Sequence, residues 1–186
     1  MNSWKLSLIG HYVHRRAMAT GRFDLSGGGT TDFYIDGRLV TTYPPALRAI
    51  ATGMLETIRA RDLMPPGSNI VAPALSGVPV AAALSLELDI PFVIDRGAPK
   101  NHGMSKRFEG SFNESPQCLV VDDLITVAST VLRTVAGLRD LGKIVSNVLV
   151  VVDREEGGRE ALEAVGVRLH ALLTKSELLE ALKGVI

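Results

Sequence analysis

Short apolar segments alternate with helical periodicity through the C-terminal two thirds of the chain. Short apolar runs predict buried strands at 70–72, 91–94, 118–121, 145–152 and 167–172. Apolar residues spaced three and four apart predict helices at 78–88, 130–141, 159–165 and 175–183. Continuous apolar strands that alternate with helices indicate a parallel sheet buried on both faces, because crossover connections place helices there. The pattern therefore predicts an α/β fold with a doubly wound, mainly parallel sheet.

The first 64 residues have a less regular pattern. It predicts three elements, which are an amphipathic helix from residue 4 that ends near Gly21, a short strand at 33–35 after a glycine-rich loop, and a helix between 44 and 64.

Composition restricts the class of protein. The chain has 186 residues, 46% of them hydrophobic, which supports one well-buried core. Lys and Arg number 20, as do Asp and Glu, so bulk attraction to nucleic acid is not expected. No apolar stretch reaches the roughly 18 residues of a membrane helix, and no signal pattern is present. The single cysteine, Cys118, is expected to be a buried small hydrophobe. We therefore expect a cytoplasmic protein that binds neither nucleic acid nor membranes.

Candidate chemistry lies where the third apolar run ends. Asp122 and Asp123 are followed by Thr126, Ser129 and Thr130 in a turn that enters a helix. Carboxylates can accept hydrogen bonds from sugar hydroxyls, while hydroxyls and free helix amides can hold a phosphate. The alternative is that the carboxylates cap the turn and a hydroxyl caps the helix. The window alone supports the two interpretations about equally.

This window resembles the phosphoribosyl-diphosphate (PRPP) binding signature of the type I phosphoribosyltransferases. The resemblance implies that PRPP binds Asp122, Asp123 and the turn at 126–130, which comprises Thr126, Val127, Ala128, Ser129 and Thr130. Ala128 departs from the signature, which usually has glycine there. A side chain in a left-handed conformation costs roughly 1–2 kcal/mol, so we expect a weakened 5′-phosphate site.

Residues 96–110 resemble the mobile catalytic loop of the orotate phosphoribosyltransferases. Arg96, Lys100 and His102 match that loop, whereas Gly97 stands where the family has a lysine. The stretch 96–107 carries four basic residues and no acidic one. A solvated basic loop is the simpler alternative. The flanking glycines favour a lid that closes over an anion and excludes water.

Three further segments extend the resemblance over nearly the whole chain. The segment 23–36 resembles the part of the family that packs against orotate, and it implies orotate contacts for Ser26, Phe33 and Tyr34, with Thr126 from the PRPP turn. The segment 71–79 resembles the diphosphate loop and implies a PRPP contact for Ser76. The segment 153–158 implies that Arg154 meets the orotate carboxylate, with a surface ion pair to Glu155 or Glu156 as the alternative.

The resemblance implies one phosphoribosyltransferase domain over 1–186, with 1–43 as an N-terminal hood that binds the base. It implies transfer of the 5-phosphoribosyl group from PRPP to orotate, with Lys100, His102, Asp122 and Asp123 as catalytic residues and Arg96 on the diphosphate. Mg²⁺ would be held mainly by PRPP, with no direct protein ligand. The loop would reach the partner's site in a homodimer. Two alternatives stay open, namely a diverged enzyme for another base and a PRPP-binding regulator without turnover.

Overall fold

The computed structural model describes residues 2–24, 30–97 and 106–183. Its helices are α1 (Ser3–His14), α2 (Arg38–Thr41), α3 (Pro44–Arg61), α4 (Gly77–Leu88), α5 (Ser129–Asp140), α6 (Gly158–Glu163) and α7 (Lys175–Lys183). Its strands are β1 (Met18–Asp24), β2 (Thr30–Ile35), β3 (Asn69–Pro73), β4 (Phe92–Asp95), β5 (Phe108–Glu109), β6 (Gln117–Ile125), β7 (Ile144–Asp153) and β8 (Arg168–Thr174). None of the helices in these ranges is long and apolar enough to cross a membrane.

Six strands form the central sheet in the order β5-β4-β3-β6-β7-β8. The pairs from β4 to β8 are parallel, and the two-residue β5 adds an antiparallel edge. The chain winds from β3 outward to β4 but from β6 in the other direction to β7 and β8. Ligands bind at the carboxyl ends of strands where the winding direction reverses. The fold therefore places its crevice between the ends of β3 and β6.

Helices cover both faces of the sheet. On one face, α1, α3 and α4 pack against alternate strand residues such as Ile70 and Leu119. On the other face, α5 and α6 pack against Val71 and Val120. All five residues of β3 are buried, which explains why its sequence shows no alternation. The doubly wound α/β fold predicted from the sequence is confirmed.

The N-terminal region differs from the prediction. The helix does not continue to Gly21, because α1 ends at His14 and β1 follows. Arg16 adopts a left-handed conformation at φ 52°, and β1 then pairs antiparallel with β2. This pairing decides the conformation of 18–24, whose own sequence carries only a weak strand pattern. The hairpin of β1 and β2 is separate from the central sheet.

Candidate active site

The cleft with the chemistry of a binding site lies at the reversal point between β3 and β6. It has a volume of about 460 Å³. Three segments line it, and they are the end of β2 with the start of α2 (35–38), the loop after β3 (74–76), and the end of β6 with the start of α5 (122–131). The peptide bond between Ala74 and Leu75 is cis. The cleft thus brings the carboxylate pair, Ser76 and the hydroxyl-rich turn together.

Asp122 and Asp123 are buried, at 4% and 5% exposure, although both line the cleft. The Ser76 hydroxyl donates to Asp122 Oδ1 at 2.9 Å, and the backbone N–H of Asp123 donates to the same oxygen at 2.9 Å. Burial, and secondly the negative charge of Asp123, raise the pKa of Asp122 well above its ordinary value. Burial also raises the pKa of Asp123. Two adjacent carboxyls that resist ionisation are suited to a ligand that brings hydroxyl donors or positive charge.

Two glycines allow the backbone to approach these carboxyl groups. A Cβ on Gly37 would lie 2.6 Å from Asp123 Oδ2. A Cβ on Gly77 would lie 2.8 Å from the carbonyl oxygen of Val121 and 3.1 Å from Asp122 Oδ1. The nearest atom to Gly77 is backbone, so that position requires glycine, whereas at Gly37 the Asp123 carboxylate would have to shift. Gly37 therefore sets how close the N-terminal segment comes to Asp123.

The turn into α5 exposes polar groups. Ala128 precedes the helix in a left-handed conformation, at φ 62° and ψ 8°. No side chain caps this helix, so the alternative in which Ser129 or Thr130 caps it does not hold. Both hydroxyl residues are exposed and line the cleft with Thr126. Free amides and hydroxyls at a helix N-terminus form a suitable site for an anion.

Only the two ends of the basic loop lie in the described ranges. Lys100 and His102 lie outside them. Arg96 pairs with Glu109 at 3.2 Å, and Gly97 has φ 79° with open space around its Cβ position.

Arg107 corrects the expectation that the basic residues of 96–107 face a diphosphate. Its Nε and Nη2 donate to the two carboxylate oxygens of Asp95, both at 2.8 Å. Nη2 also donates to the carbonyl oxygen of Arg133 at 2.6 Å. Burial acts to raise the pKa of Asp95, but the hydrogen bonds from Arg107 and from the N–H of Gly97 bring it below its ordinary value. Arg107 therefore fixes the end of β4 to α5.

Arg154 is buried beside this cleft, at 6% exposure. Its Nη2 donates to Thr31 Oγ1 at 3.2 Å and to the carbonyl oxygen of Phe33 at 3.1 Å. Nη2 and Nε also contact Glu156 Oε1, at 3.0 and 3.3 Å. The ion pair with Glu156 thus forms, but at a buried guanidinium and not on the surface. The backbone N–H of Arg154 donates to the carbonyl oxygen of Ile125 at 3.0 Å, which joins this loop to the cleft wall.

Phe33 and Tyr34, which were both predicted to contact the base, lie on opposite faces of β2. The Phe33 side chain is fully buried in the core, so its backbone carbonyl, not its ring, contacts Arg154. Tyr34 points the other way, is 45% exposed and stacks on Phe23 at 5.4 Å between ring centroids. Ser26 lies outside the described ranges.

The sequence analysis missed Gly37 and Lys175. The pair Asp36-Gly37 directly follows the strand predicted at 33–35, and this Asp-Gly pair at a strand end was the available signal. Lys175 Nζ lies 3.2 Å from Asp32 Oδ1 and 3.5 Å from Glu156 Oε1. The signal available for Lys175 was its position directly after the last strand. The carboxyl ends of parallel strands share one edge of a sheet, so a residue there can lie near the cleft.

Orotate phosphoribosyltransferases from several organisms are similar to this chain. No protein-family model matches the chain. The orotate phosphoribosyltransferase of Halobacterium salinarum is 41% identical over 165 residues, which are 89% of this chain and 91% of that protein. The crystal structure of orotate phosphoribosyltransferase from Aeropyrum pernix superposes with a TM-score of 0.83 at 33% identity, over 95% of this chain and 98% of that one. The Mycobacterium tuberculosis orotate phosphoribosyltransferase in complex with PRPP gives a TM-score of 0.72 at 28% identity, over 94% and 98% of the two chains.

Proposed function

The chain belongs to the orotate phosphoribosyltransferase family, and we propose that it transfers the 5-phosphoribosyl group from PRPP to N1 of orotate. The products are orotidine 5′-monophosphate and diphosphate, in the de novo synthesis of pyrimidines. The enzyme is a pentosyltransferase. The observation that carries the proposal is the buried pair Asp122 and Asp123 beside an exposed hydroxyl-rich turn in one cleft.

The phosphoribosyl end of the cleft consists of Asp122, Asp123 and the turn at 126–130. The carboxylates accept hydrogen bonds from the ribose hydroxyls, and the turn holds the 5′-phosphate with its amides and with the hydroxyls of Ser129 and Thr130. Breaking the bond to diphosphate builds positive charge at C1 and the ring oxygen of the ribose. Negative charges fixed nearby stabilise that charge as it develops. We assign Ser76 to the side where the diphosphate leaves, and its hydrogen bond to Asp122 supports a position next to the ribose.

The leaving diphosphate needs positive charge and exclusion of water. Arg96 begins the segment that supplies both, and we assign Lys100 to charge neutralisation and His102 to hydrogen bonding or proton transfer. These roles follow from the matching positions in the family's mobile loop. Arg107 has no such role, since Asp95 engages it.

We place the base end beside this cleft, at Arg154, the hairpin of β1 and β2, and the loop that carries Glu156, where Thr31 and Glu156 line a neighbouring cavity of about 520 Å³. Arg154 binds the orotate carboxylate, because a planar guanidinium can donate two parallel hydrogen bonds to it. Thr126, at the boundary between the two ends, contacts both substrates. The contacts of Arg154 with Thr31 and Phe33 support this assignment, since they hold the guanidinium in a defined orientation.

Mg²⁺ fits the chemistry of this cleft. Within the described ranges, no three His, Cys, Asp or Glu side chains are grouped as a protein metal cage. The oxygen donors available are the carboxylates of Asp122 and Asp123, and Mg²⁺ prefers oxygen ligands shared with substrate phosphates. When bound with PRPP, the ion supplies charge neutralisation on the diphosphate. The protein residues then orient the substrate that carries it.

We also propose that the enzyme works in the cytoplasm as a homodimer with shared active sites. A mixture of Lys100→Ala and Asp123→Asn chains tests the sharing. If the loop of one subunit serves the other, hybrid dimers regain activity in one of their two sites. Hybrids that form but stay inactive would contradict shared sites.

One assay tests the function itself. The protein is incubated with PRPP, Mg²⁺ and orotate, and both the loss of orotate and the release of diphosphate are measured. We expect equimolar changes. Turnover with another base but not orotate would contradict the proposal, and PRPP binding without turnover on any base would indicate a regulator. The Asp123→Asn variant serves as the negative control.

A further inference from the structure

A guanidinium has two edges that can hold a carboxylate with two parallel bonds. In Arg154, Glu156 occupies the edge formed by Nε and Nη2. Nε and Nη2 form this edge, and both contact Glu156 Oε1, at 3.3 and 3.0 Å. The remaining hydrogen of Nη2 is directed to the hairpin, at Thr31 and the carbonyl oxygen of Phe33. The edge formed by Nη1 and Nη2 is therefore no longer open to two parallel bonds. A substrate carboxylate that binds with two bonds must take the place of Glu156.

A second cation is positioned to receive Glu156. Lys175 Nζ lies 3.5 Å from the same Oε1 that contacts Arg154. Lys175 also pairs with Asp32 and lies 5.8 Å from the centre of the Phe33 ring, so the hairpin fixes its position. Its side chain is only 18% exposed. A carboxylate that leaves Arg154 therefore keeps a charged partner without moving into solvent.

The backbone around Glu156 is fixed, so an exchange requires only its side chain to move. The N–H of Glu155 donates to Asp153 Oδ1 at 2.8 Å, and Arg159 pairs with Asp153 at 2.9 Å. The carboxylate of Glu155 accepts from the N–H and hydroxyl of Ser176 at the start of α7, at 2.9 and 2.6 Å. These contacts hold the loop on both sides of Glu156. Rotation of one half-buried side chain is fast relative to turnover.

We propose that Glu156 is an internal ligand of Arg154 that a substrate carboxylate replaces, and that Lys175 then binds Glu156. This inference rests on the proposed function, because it assumes that Arg154 binds the orotate carboxylate. It makes Glu156 a specificity-determining residue. A base without a carboxylate leaves the Arg154–Glu156 pair in place, whereas orotate exchanges with it. Discrimination between bases then comes from competition between Glu156 and the substrate carboxylate for the same edge of Arg154.

The substitution Glu156→Gln tests the competition, since it removes the charge and keeps the shape. A neutral amide competes less well for Arg154, so the KM for orotate should fall about three- to tenfold while the KM for PRPP stays unchanged. Glu156→Ala should lower the KM for orotate at least as much. If Glu156 instead only orients Arg154, Glu156→Ala raises the KM for orotate and Glu156→Gln restores it, which overturns the proposal.

The substitution Lys175→Met tests the second partner. Without Lys175 the displaced carboxylate loses the cation that lies 3.5 Å from it, so the KM for orotate should rise severalfold. Asp32→Asn removes the pair that helps fix Lys175 but keeps the lysine charge, so it should raise this KM less than Lys175→Met does. Lys5→Met is the matched control, because it breaks a comparable lysine pair to α7, with Glu177 at 2.6 Å, away from Arg154. An equal rise in all three variants would show general loosening of the fold and overturn the exchange.

Orotate turnover by the wild-type protein distinguishes failure of the exchange from failure of the proposed function. Orotate turnover by wild type with an unchanged or raised KM in Glu156→Gln defeats the exchange alone. Absence of orotate turnover in wild type defeats the proposed function, and this inference with it.

Discussion

The phosphoribosyl end and the base end of the proposed site are built in opposite ways. At the phosphoribosyl end, one continuous stretch from 122 to 130 supplies buried carboxylates and exposed hydroxyls. At the base end, Arg154 is buried and its donors already pair with groups from β2 and from Glu156. The first end presents donors and acceptors directly to a ligand, whereas the second must exchange an internal partner. Local sequence thus builds an anion site, while discrimination between bases depends on contacts between distant segments.

The largest effect should come from Arg154→Ala, which removes the centre of the base end. We expect kcat/KM for orotate to fall about 10²–10³-fold, because a charged donor to a carboxylate is lost and Glu156 loses its partner. The KM for PRPP should change less than about threefold, since the phosphoribosyl end is intact. Steady-state kinetics with each substrate varied in turn measure both. Equal losses for the two substrates would show that the ends are not independent.

The substitution Gly37→Ala should disturb the phosphoribosyl end selectively. The new Cβ would lie 2.6 Å from Asp123 Oδ2, so the carboxylate or the backbone must shift. Overpacking of this kind costs about 1–3 kcal/mol, and we expect the KM for PRPP to rise roughly 5–100-fold. Gly10→Ala in α1 is the control, because its nearest contact would be an ordinary 3.9 Å. If Gly37→Ala raised only the KM for orotate, the assignment of Gly37 to the phosphoribosyl end would be wrong.

The buried carboxyl pair should make stability depend on pH. Burial, and secondly the negative charge of Asp123, raise the pKa of Asp122 in the native state. Between the ordinary pKa of 3.8 and this raised pKa, the native state therefore binds more protons than the unfolded state. Its contribution to the free energy of unfolding is therefore largest at low pH and is lost as pH rises through that window. Each pKa unit of difference corresponds to about 1.4 kcal/mol.

Urea denaturation at a series of pH values measures this dependence, with Asp122→Asn as the comparison. The variant should lose the decline in stability across the window, while Arg154→Ala should retain it. Titration of PRPP with Mg²⁺ by calorimetry should show affinity that rises over the same window, because ribose hydroxyls donate to the ionised pair. A decline in the wild type that persists unchanged in Asp122→Asn would contradict this origin.

The parallel strands could be predicted because short apolar runs mark their buried parts, and β3 is buried over its whole length. The carboxylate pair could also be predicted, since it directly follows such a run. The strand β1 could not, because residues 18–24 become a strand through pairing with β2 beyond a loop. The role of Arg107 could not be predicted either, since its partner is 12 residues away and is reached only when the two ends of the loop come together. Lys175 meets Glu156 and Asp32 only in the folded chain.

The smallest effect should come from Ala128→Gly in the turn of the phosphoribosyl end. Ala128 holds φ 62° as part of the fold, so we expect its strain of roughly 1–2 kcal/mol to arise on folding and to be the same before and after PRPP binds. Its methyl group is buried against α5, and losing that contact costs about 0.8 kcal/mol. Because the two contributions oppose each other, stability should change by less than about 1 kcal/mol.

The same reasoning changes what Ala128 implies for PRPP. A strain present in both the free and the bound enzyme cancels from the binding equilibrium, so the KM for PRPP in Ala128→Gly should stay within about threefold of wild type. Gly157→Ala provides the reverse substitution, since Gly157 precedes α6 at φ 92° with open space around its Cβ position. It should lower the free energy of unfolding by about 1 kcal/mol. A tenfold fall in the KM for PRPP in Ala128→Gly would mean that the turn must rearrange on binding, and that the phosphoribosyl end, like the base end, changes when its ligand arrives.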